Sequence, residues 1–361
     1  MDRKRTALTV AAAGTATGVV GLILLATPAG AGEQPPALPE ISPEALVESV
    51  IKTEKIPAMS GAVEFTSDLG IPVPGLPQAG SGGEAAHVYT DGEGRARVSI
   101  SQGGSERTIV HDGTTTWMWN SADRSVQKMV SGEHEKKTAE HKLADPATAA
   151  REFIGLMGKD STITVDGTAR VADRPVYQLV LTPKPTERTL LREVRVAVDS
   201  ETRLPLRLEV LANGQAEPAL RIGFTDFETG AQDASLFTYT PPAGAKVTES
   251  KPGDHKPSEA ELKEKQNLFE SIDGKTVGEG WDTVLVGKVP AELLTGEVKS
   301  GERGTTDPSR LLKQFGKEVS GPFGTGYVIS SKVGTLLVTA DGRAALGAVP
   351  QQVLVDALGA K

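Results

Sequence analysis

Residues 109–120 read IVHDGTTTWMWN and predict a β-hairpin. Apolar and polar residues alternate on both sides of the pair Asp112–Gly113, and Asp-Gly is a preferred two-residue hairpin turn because its backbone accepts positive φ angles. The second strand of this hairpin places Trp117 and Trp119 on one face and Met118 on the other. The stretch therefore indicates an antiparallel sheet, and alternation of the same kind continues through most of residues 60–250.

About eleven antiparallel strands are expected, with two helices among them, which is an α+β plan. Ser42 followed by Pro43 predicts the start of the first helix, and Asp145 followed by Pro146 predicts the start of the second. The expected strands are 61–66, 86–89, 95–100, 106–111, 115–120, 125–129, 162–171, 175–182, 193–198, 206–211 and 220–227.

The N-terminus has the pattern of an export signal. Basic residues at 3–5 precede an uncharged run over 6–32, whose apolar centre at 19–26 is followed by the small residues 29–31. We expect residues 1–31 to be a signal peptide and the protein to be exported, in the cell envelope or secreted. An uncleaved N-terminal membrane anchor is the alternative, because an uncharged run of this length could span a bilayer.

Four further segments follow the signal. Residues 32–40 are a Pro-rich lead, residues 41–249 the large domain, residues 250–258 a Pro/Gly-rich linker, and residues 259–361 a small C-terminal α+β domain. In the small domain the patterns predict helices from 258 to about 271, over 307–319 and over 350–358, and strands over 281–289, 327–331, 335–339 and 343–349.

Composition excludes several classes of function. The 361-residue chain has 39 Lys+Arg against 47 Asp+Glu, a formal net charge of -8, few aromatic residues and no Cys. Neither a cation excess nor a stacking platform is present, so nucleic acid is not an expected partner. Without Cys, disulfides and thiolate sites are excluded.

Catalytic and metal-binding motifs are also missing from the sequence. His134 and His141 are seven residues apart, whereas the zinc helix motif needs histidines four apart on one face. Residues 324–329 resemble the strand entrance of trypsin-like proteases, but no histidine follows His255. We expect no enzymatic activity, no metal and no cofactor.

Three segments resemble the LolA-type lipoprotein-carrier superfamily. The first is the hairpin 109–120; the second is 196–208, VAVDSETRLPLRL, with a Leu-Pro entry into the next strand. The third is 222–227, IGFTDF, followed by LF at 236–237 and PPAG at 241–244. The likeness covers residues 41–249, and the apolar loop 68–83 with the alanine-rich signal resembles actinobacterial members.

This resemblance implies an unclosed antiparallel half-barrel with a helical lid over an apolar interior for acyl chains. The superfamily also includes the MucB/RseB-type sigma-E regulators, which add a smaller C-terminal domain and bind an anti-sigma factor. The predicted two-domain layout matches that second group better. The Arg-Pro strand motif of the carriers is absent, so its role in lid opening is not transferred to Arg95 or Arg97.

We therefore expect an exported, non-enzymatic protein that holds the acyl chain of a lipid or lipoprotein. Peripheral contact with a membrane is compatible with this role. The alternative is a regulator that binds a membrane anti-sigma factor or another envelope protein, and a hydrolase with an unrecognised site is a third option. The residues expected to contact the ligand are Leu46, Val50, Ile51, Phe153, Ile154 and Met157 in the lid and Trp117 or Trp119 in the floor. Each of these large apolar residues has a plain core role as its alternative.

Overall fold

The computed structural model describes residues 35–53, 55–71, 84–102, 104–130, 146–250, 274–289, 312 and 314–359. The chain divides into a unit of residues 1–36 and a compact unit of residues 37–361, and all the described helices and strands belong to the second unit. The predicted signal peptide and most of the predicted linker lie outside the described residues, as does the predicted helix from 258.

Most of the described chain is β-structure, and its largest element is an open twelve-stranded sheet. Its strands are β1 Met59–Ser67, β2 Glu84–Thr90, β3 Ala96–Gln102, β4 Ser105–His111, β5 Thr115–Asn120, β6 Ser125–Val130, β7 Ser161–Val171, β8 Arg174–Pro183, β9 Leu191–Asp199, β10 Pro205–Ala212, β11 Leu220–Thr229 and β12 Lys246–Ser250. The spatial order is β12-β6-β5-β4-β3-β2-β1-β11-β10-β9-β8-β7, so the sheet is not closed and β12 and β7 are its edges.

The first eleven strands form the antiparallel array that the sequence predicts, and the twelfth does not. Strand β12 pairs in parallel with β6, with Lys246 opposite Ser125 and Ser250 opposite Met129, which makes the sheet mixed. The sequence pattern missed β12 because a five-residue strand directly after a Pro/Gly-rich segment carries almost no periodic signal.

Both predicted helices of the large sheet region are present. Helix α1 spans Pro43–Lys52, and the Ser42 side chain accepts a hydrogen bond from the Ala45 N–H at 3.2 Å, which caps one of the free donors of the first turn. Helix α2 spans Pro146–Met157 and continues into a 3₁₀ turn over Gly158–Asp160.

A separate six-stranded sheet follows in the chain. Its strands are β13 Lys275–Val277, β14 Val284–Lys288, β15 Lys317–Gly321, β16 Gly324–Ser330, β17 Thr335–Thr339 and β18 Arg343–Gly347, in the order β13-β14-β18-β17-β16-β15. Helix α3, Gln351–Gly359, buries its apolar side against this sheet through Val353, Leu354, Ala357 and Leu358.

Two predictions for this region are wrong in detail. The helix expected over 307–319 does not reach 319, because residues 317–321 are strand β15, paired with β16. Gly316, where a Cβ would lie 2.2 Å from the Leu312 carbonyl oxygen, directly precedes that strand. The strand expected from residue 281 begins at Val284, since Gly280–Asp282 forms a 3₁₀ turn.

The two sheets contact one another within the compact unit. The Leu190 N–H donates to the Ala348 carbonyl at 2.8 Å, and Arg188 pairs with Asp356 at 3.0 Å. Lys332 donates to the Asp68 carboxylate at 2.6 Å. The boundaries of the two domains stay predictions, and these contacts show where the second sheet meets the first.

Candidate functional site

Helices α1 and α2 cover an apolar cluster on strands β8, β9 and β10, which we call the helix-covered cluster. Strand register places Leu179 opposite Val196 and Leu181 opposite Val194, so alternate residues of the two strands share the face that the helices cover. The buried members of the cluster are Leu46, Val50, Ala150, Ile154, Tyr177, Leu179, Leu181, Val194, Val196, Val198, Leu208 and Trp281. These side chains fill the space directly beneath the helices.

The structure brings five of the six predicted lid residues to this cluster. Leu46 and Val50 are fully buried in it and Ile154 is nearly so, while Phe153 and Met157 are half-buried and pack against it. Ile51 is the exception, with 53% of its surface exposed. Their role as ligand contacts stays a prediction, because burial in a core and burial under a lid look the same without a ligand.

Neither Trp117 nor Trp119, the predicted floor, is part of the helix-covered cluster. Both are half-buried on β5. The Trp117 ring lies 5.7 Å from the Tyr239 ring, and the Lys128 ammonium lies 5.3 Å from the Trp117 centroid. The face of β5 that carries the two tryptophans is therefore covered locally by the chain segment around Tyr239.

A groove of about 530 Å³ runs along the flank of α1, and we call it the α1 groove. Its lining residues are Pro43, Glu44, Val47, Glu48, Ile51, Lys52, Gly158, Ser161 and Ile163. Val47 and Ile163 also pack against the helix-covered cluster, so the groove is the solvent-facing end of that cluster.

Two of the three charged residues that line the α1 groove form an ion pair with each other. Lys52 and Glu48 form an i,i+4 ion pair at 2.5 Å on the surface of α1, and the hydrogen bond from Lys52 lowers the pKa of the Glu48 carboxyl. The lining residues Glu44, Glu48 and Lys52 therefore give the rim a formal charge of -1, over an apolar floor formed by Val47, Ile51 and Ile163.

Trp281 is a member of the cluster that sequence patterns did not identify. It belongs to the 3₁₀ turn before β14, yet it is 2% exposed, and its ring meets the Phe153 ring edge-on at 5.5 Å. The indole Nε1–H donates to Ser161 Oγ at 3.0 Å. Alternation assigned Trp281 to a strand of another domain, and periodicity along one segment does not report which distant core a side chain enters.

The described residues contain no cluster of side chains suited to a metal ion. No group of three or more His, Asp and Glu side chains in them is placed to hold a metal ion. His134, His141 and His255 fall outside that part of the chain. No helix among the described residues is long and apolar enough to cross a membrane.

Residues 79–250 match the family model of the MucB/RseB N-terminal domain. No curated protein matches the chain. Among solved structures, the complex of Pseudomonas aeruginosa MucA/MucB is 16% identical with a TM-score of 0.43, covering 88% of this chain and 96% of that chain. A structure of MucB in complex with MucA(peri) is 14% identical with a TM-score of 0.41, covering 87% and 96%. A LolA superfamily protein, NE2245 from Nitrosomonas europaea, is 13% identical with a TM-score of 0.25, covering 55% and 99%.

Proposed function

We propose that this chain is a member of the LolA-type superfamily that includes the MucB/RseB proteins, and that it holds a hydrophobic ligand, the acyl chain of a lipid or lipoprotein; the match of residues 79–250 to the MucB/RseB N-terminal domain supports this proposal. The family match supports a binding or regulatory protein of the cell envelope, outside the cytoplasm. The identity of the ligand is our proposal. The observation that supports it is the α1 groove with its exposed Ile51.

The groove has the character that an acyl chain requires. Its floor is formed by Val47, Ile51 and Ile163. Its charged residues lie at the rim, where Glu48 pairs with Lys52 and Glu44 adds one further carboxylate. Each methylene removed from water contributes about 0.8 kcal/mol, so five methylenes would contribute about 4 kcal/mol without any charged contact. A chain bound here would also shield Ile51 from solvent.

We further propose that α1 and α2 act as the lid. Leu46, Val50 and Ile154 pack the two helices onto the sheet through apolar contacts, which are non-directional and can be exchanged for contacts with a ligand. One hydrogen bond, from the Ser161 hydroxyl of β7 to the Met157 carbonyl of α2 at 2.7 Å, adds to these contacts. A long acyl chain would start in the α1 groove and extend toward the helix-covered cluster as α1 shifts. In this mechanism the groove is the entrance and the cluster is the interior.

A glutamate at position 51 should weaken acyl binding while the same change at position 156 should not. Ile51 lines the groove, whereas Leu156 is an equally large exposed residue, 71% accessible, on α2 and outside the groove lining. Losing the burial of one such side chain is worth about 1.5–3 kcal/mol, so Ile51→Glu should raise the Kd of a fluorescent fatty acid about 10- to 100-fold.

The measurement is titration of protein purified without detergent, with native mass spectrometry to detect ligand carried from the cell. Leu156→Glu should bind within about twofold of the parent protein. Equal losses of fatty-acid affinity in the two variants would mean that the ligand binds outside the α1 groove. A parent protein that is purified without ligand and takes up no fatty acid would refute acyl binding.

A second function is favoured by the family match itself: regulation through a membrane anti-sigma factor, as in MucB/RseB-type proteins. For a partner that docks on both sheets, the second sheet offers an exposed cross-strand pair, Leu285 on β14 and Leu346 on β18, which are 48% and 50% exposed. Contiguous exposed apolar surface marks protein interaction sites, and the adjacent side chains of this pair supply such surface.

Capture from detergent-solubilised membranes should discriminate the two functions. Under regulation, the full chain retains an envelope protein that the double variant Leu285→Glu/Leu346→Glu loses, while acyl uptake is unchanged. If the protein carries an acyl chain instead, Ile51→Glu lowers acyl uptake, and the double variant matches the parent protein in both acyl uptake and protein capture. Retention of the same partner by both proteins would exclude docking at this pair.

We propose that neither function involves catalysis. In the described part of the chain, His87 and His111 lie on separate strands, and His111 Nδ1 is 3.0 Å from the Thr116 hydroxyl of the neighbouring strand, a pairing within the sheet. A broad screen for esterase and peptidase activity tests this proposal, and a turnover that survives purification to homogeneity would overturn it.

A further inference from the structure

Trp281 reaches the helix-covered cluster from the second sheet. The residues around it form a 3₁₀ turn, Gly280–Asp282, that leads directly into β14. Its side chain nevertheless packs among residues of α2 and the large sheet and is 2% exposed. An indole is the largest apolar side chain, and this one occupies space within the cluster beneath the predicted lid.

Ser161 stands between this indole and the α1 groove. Its side chain lines the groove, accepts the hydrogen bond of Trp281 Nε1–H at 3.0 Å and donates to the Met157 carbonyl at 2.7 Å. A buried indole N–H needs such an acceptor, and Ser161 supplies it. The inner wall of the groove and the indole are therefore separated by a single small side chain.

Specific contacts hold the turn that carries Trp281 against the large sheet. The Trp281 backbone N–H donates to Glu187 Oε2 at 2.8 Å. Gly280, at φ +62°, lies so close to Asp160 that a Cβ would come within 2.7 Å of the Asp160 Cβ. Asp160 Oδ2 is buried there without a hydrogen-bond partner in the described residues, and an unpaired buried carboxylate oxygen costs free energy. The contact between Gly280 and Asp160 is therefore close, and it lies beside a carboxylate oxygen that has no hydrogen bond in the described residues.

We infer that Trp281 is an internal competitor of the ligand: the indole fills the inner end of the acyl site, and a chain that enters beyond the α1 groove displaces it. This inference rests on the proposed acyl function and adds its regulation. Because the indole belongs to the turn before β14, its displacement would couple ligand entry to the position of that turn. The alternative role for Trp281 is a fixed core contact that a ligand leaves untouched.

Tryptophan fluorescence reports directly on the environment of the Trp281 indole. The sequence contains three Trp, so a Trp117→Phe/Trp119→Phe variant of the full chain leaves Trp281 as the sole indole. Its emission should be blue-shifted and poorly quenched by acrylamide in the free protein, because it is buried. Saturation with oleate should shift the emission to the red and increase quenching. Oleate that binds, by native mass spectrometry, without changing either signal would overturn the inference while the acyl function stands.

Affinity gives a second, independent test. Trp281→Phe keeps an aromatic ring but removes part of the volume and the hydrogen bond to Ser161, so the competent state should be more populated and oleate should bind at least about fivefold tighter. Phe323→Leu removes aromatic volume from the core of the second sheet, outside the helix-covered cluster and the predicted ligand contacts, and should leave the Kd unchanged. Equal or weaker binding by Trp281→Phe would contradict competition. Absence of oleate binding in the parent and in both variants would instead refute the acyl function.

Discussion

Replacing Asp199 by alanine is expected to lower the free energy of unfolding by about 3–5 kcal/mol, because it removes one partner of a buried ion pair. The Asp199 side chain is fully buried at the end of β9 and accepts hydrogen bonds from Arg174 Nε at 2.9 Å and Nη2 at 3.0 Å. It also accepts the Thr202 N–H at 2.7 Å and the Thr202 hydroxyl at 2.8 Å. The variant would leave these donors without their carboxylate.

Glu201→Ala is the matched control, measured with Asp199→Ala by urea denaturation. Glu201 pairs with the same Arg174, at 2.7 Å, but its side chain is 75% exposed. An exposed pair is worth at most about 1 kcal/mol, so this variant should unfold close to the parent. If the two variants lose similar amounts of unfolding free energy, burial of Asp199 does not account for the contribution of its ion pair to stability.

The same carboxylate should make stability fall at acid pH. Burial raises the pKa of Asp199, but the hydrogen bonds from Arg174 and Thr202 outweigh it and hold the pKa below its ordinary value. The contribution is therefore present above the unfolded-state pKa of about 3.9 and is lost as the pH falls through the lower folded-state pKa. Asp199→Asn should flatten the pH dependence of the unfolding free energy in this range, and parallel curves for the two proteins would contradict the assignment.

Trp281→Ala is expected to destabilise the protein by about 3–5 kcal/mol, the range found when a large buried aromatic residue is truncated. The substitution leaves a cavity in the helix-covered cluster, removes the edge contact to Phe153 and deprives Ser161 Oγ of its donor. Both the large sheet and the second sheet lose a contact, so unfolding of both should shift to lower urea concentration.

Trp119→Ala provides the comparison for Trp281→Ala in the same denaturation series. Trp119 is half-buried on β5 and outside the helix-covered cluster, so its truncation should cost clearly less. If the two alanine variants unfold at the same midpoint, the indole of Trp281 does not join the two sheets as its contacts indicate.

The elements that the sequence predicts correctly are those determined by residues close together in the chain. The hairpin at 109–120 is confirmed as β4 and β5, with Gly113 at φ +99° and the Asp112 carboxylate accepting the Thr115 N–H at 2.8 Å. Its turn is longer than the pair Asp112–Gly113, because His111 pairs with Thr116. The start of α1 at Ser42 is confirmed in the same way. In both cases residues a few positions apart determine the conformation.

Features that depend on distant partners were not predictable from one sequence. Strand β12 exists because β6 offers a free edge, and Trp281 is buried because a cluster formed by other segments receives it. The two tryptophans of β5 are a further example. Their alternation predicts that they share one face of the strand, but it does not predict which other segment covers that face. The sequence therefore predicts the elements and the apolar stripes of α1 and α2, while the composition of the site depends on long-range packing.

The pairing of β1 with β11 has a consequence for folding kinetics. Every other antiparallel pair of the large sheet joins strands that are neighbours in sequence, whereas this pair closes the chain from Ser67 to Leu220. Contacts of such high sequence separation are formed late and limit the rate, because loop-closure entropy is lost before they form. The two meanders would thus assemble early, and an unfolded chain would expose the edges of both to aggregation and proteolysis until β1 and β11 meet.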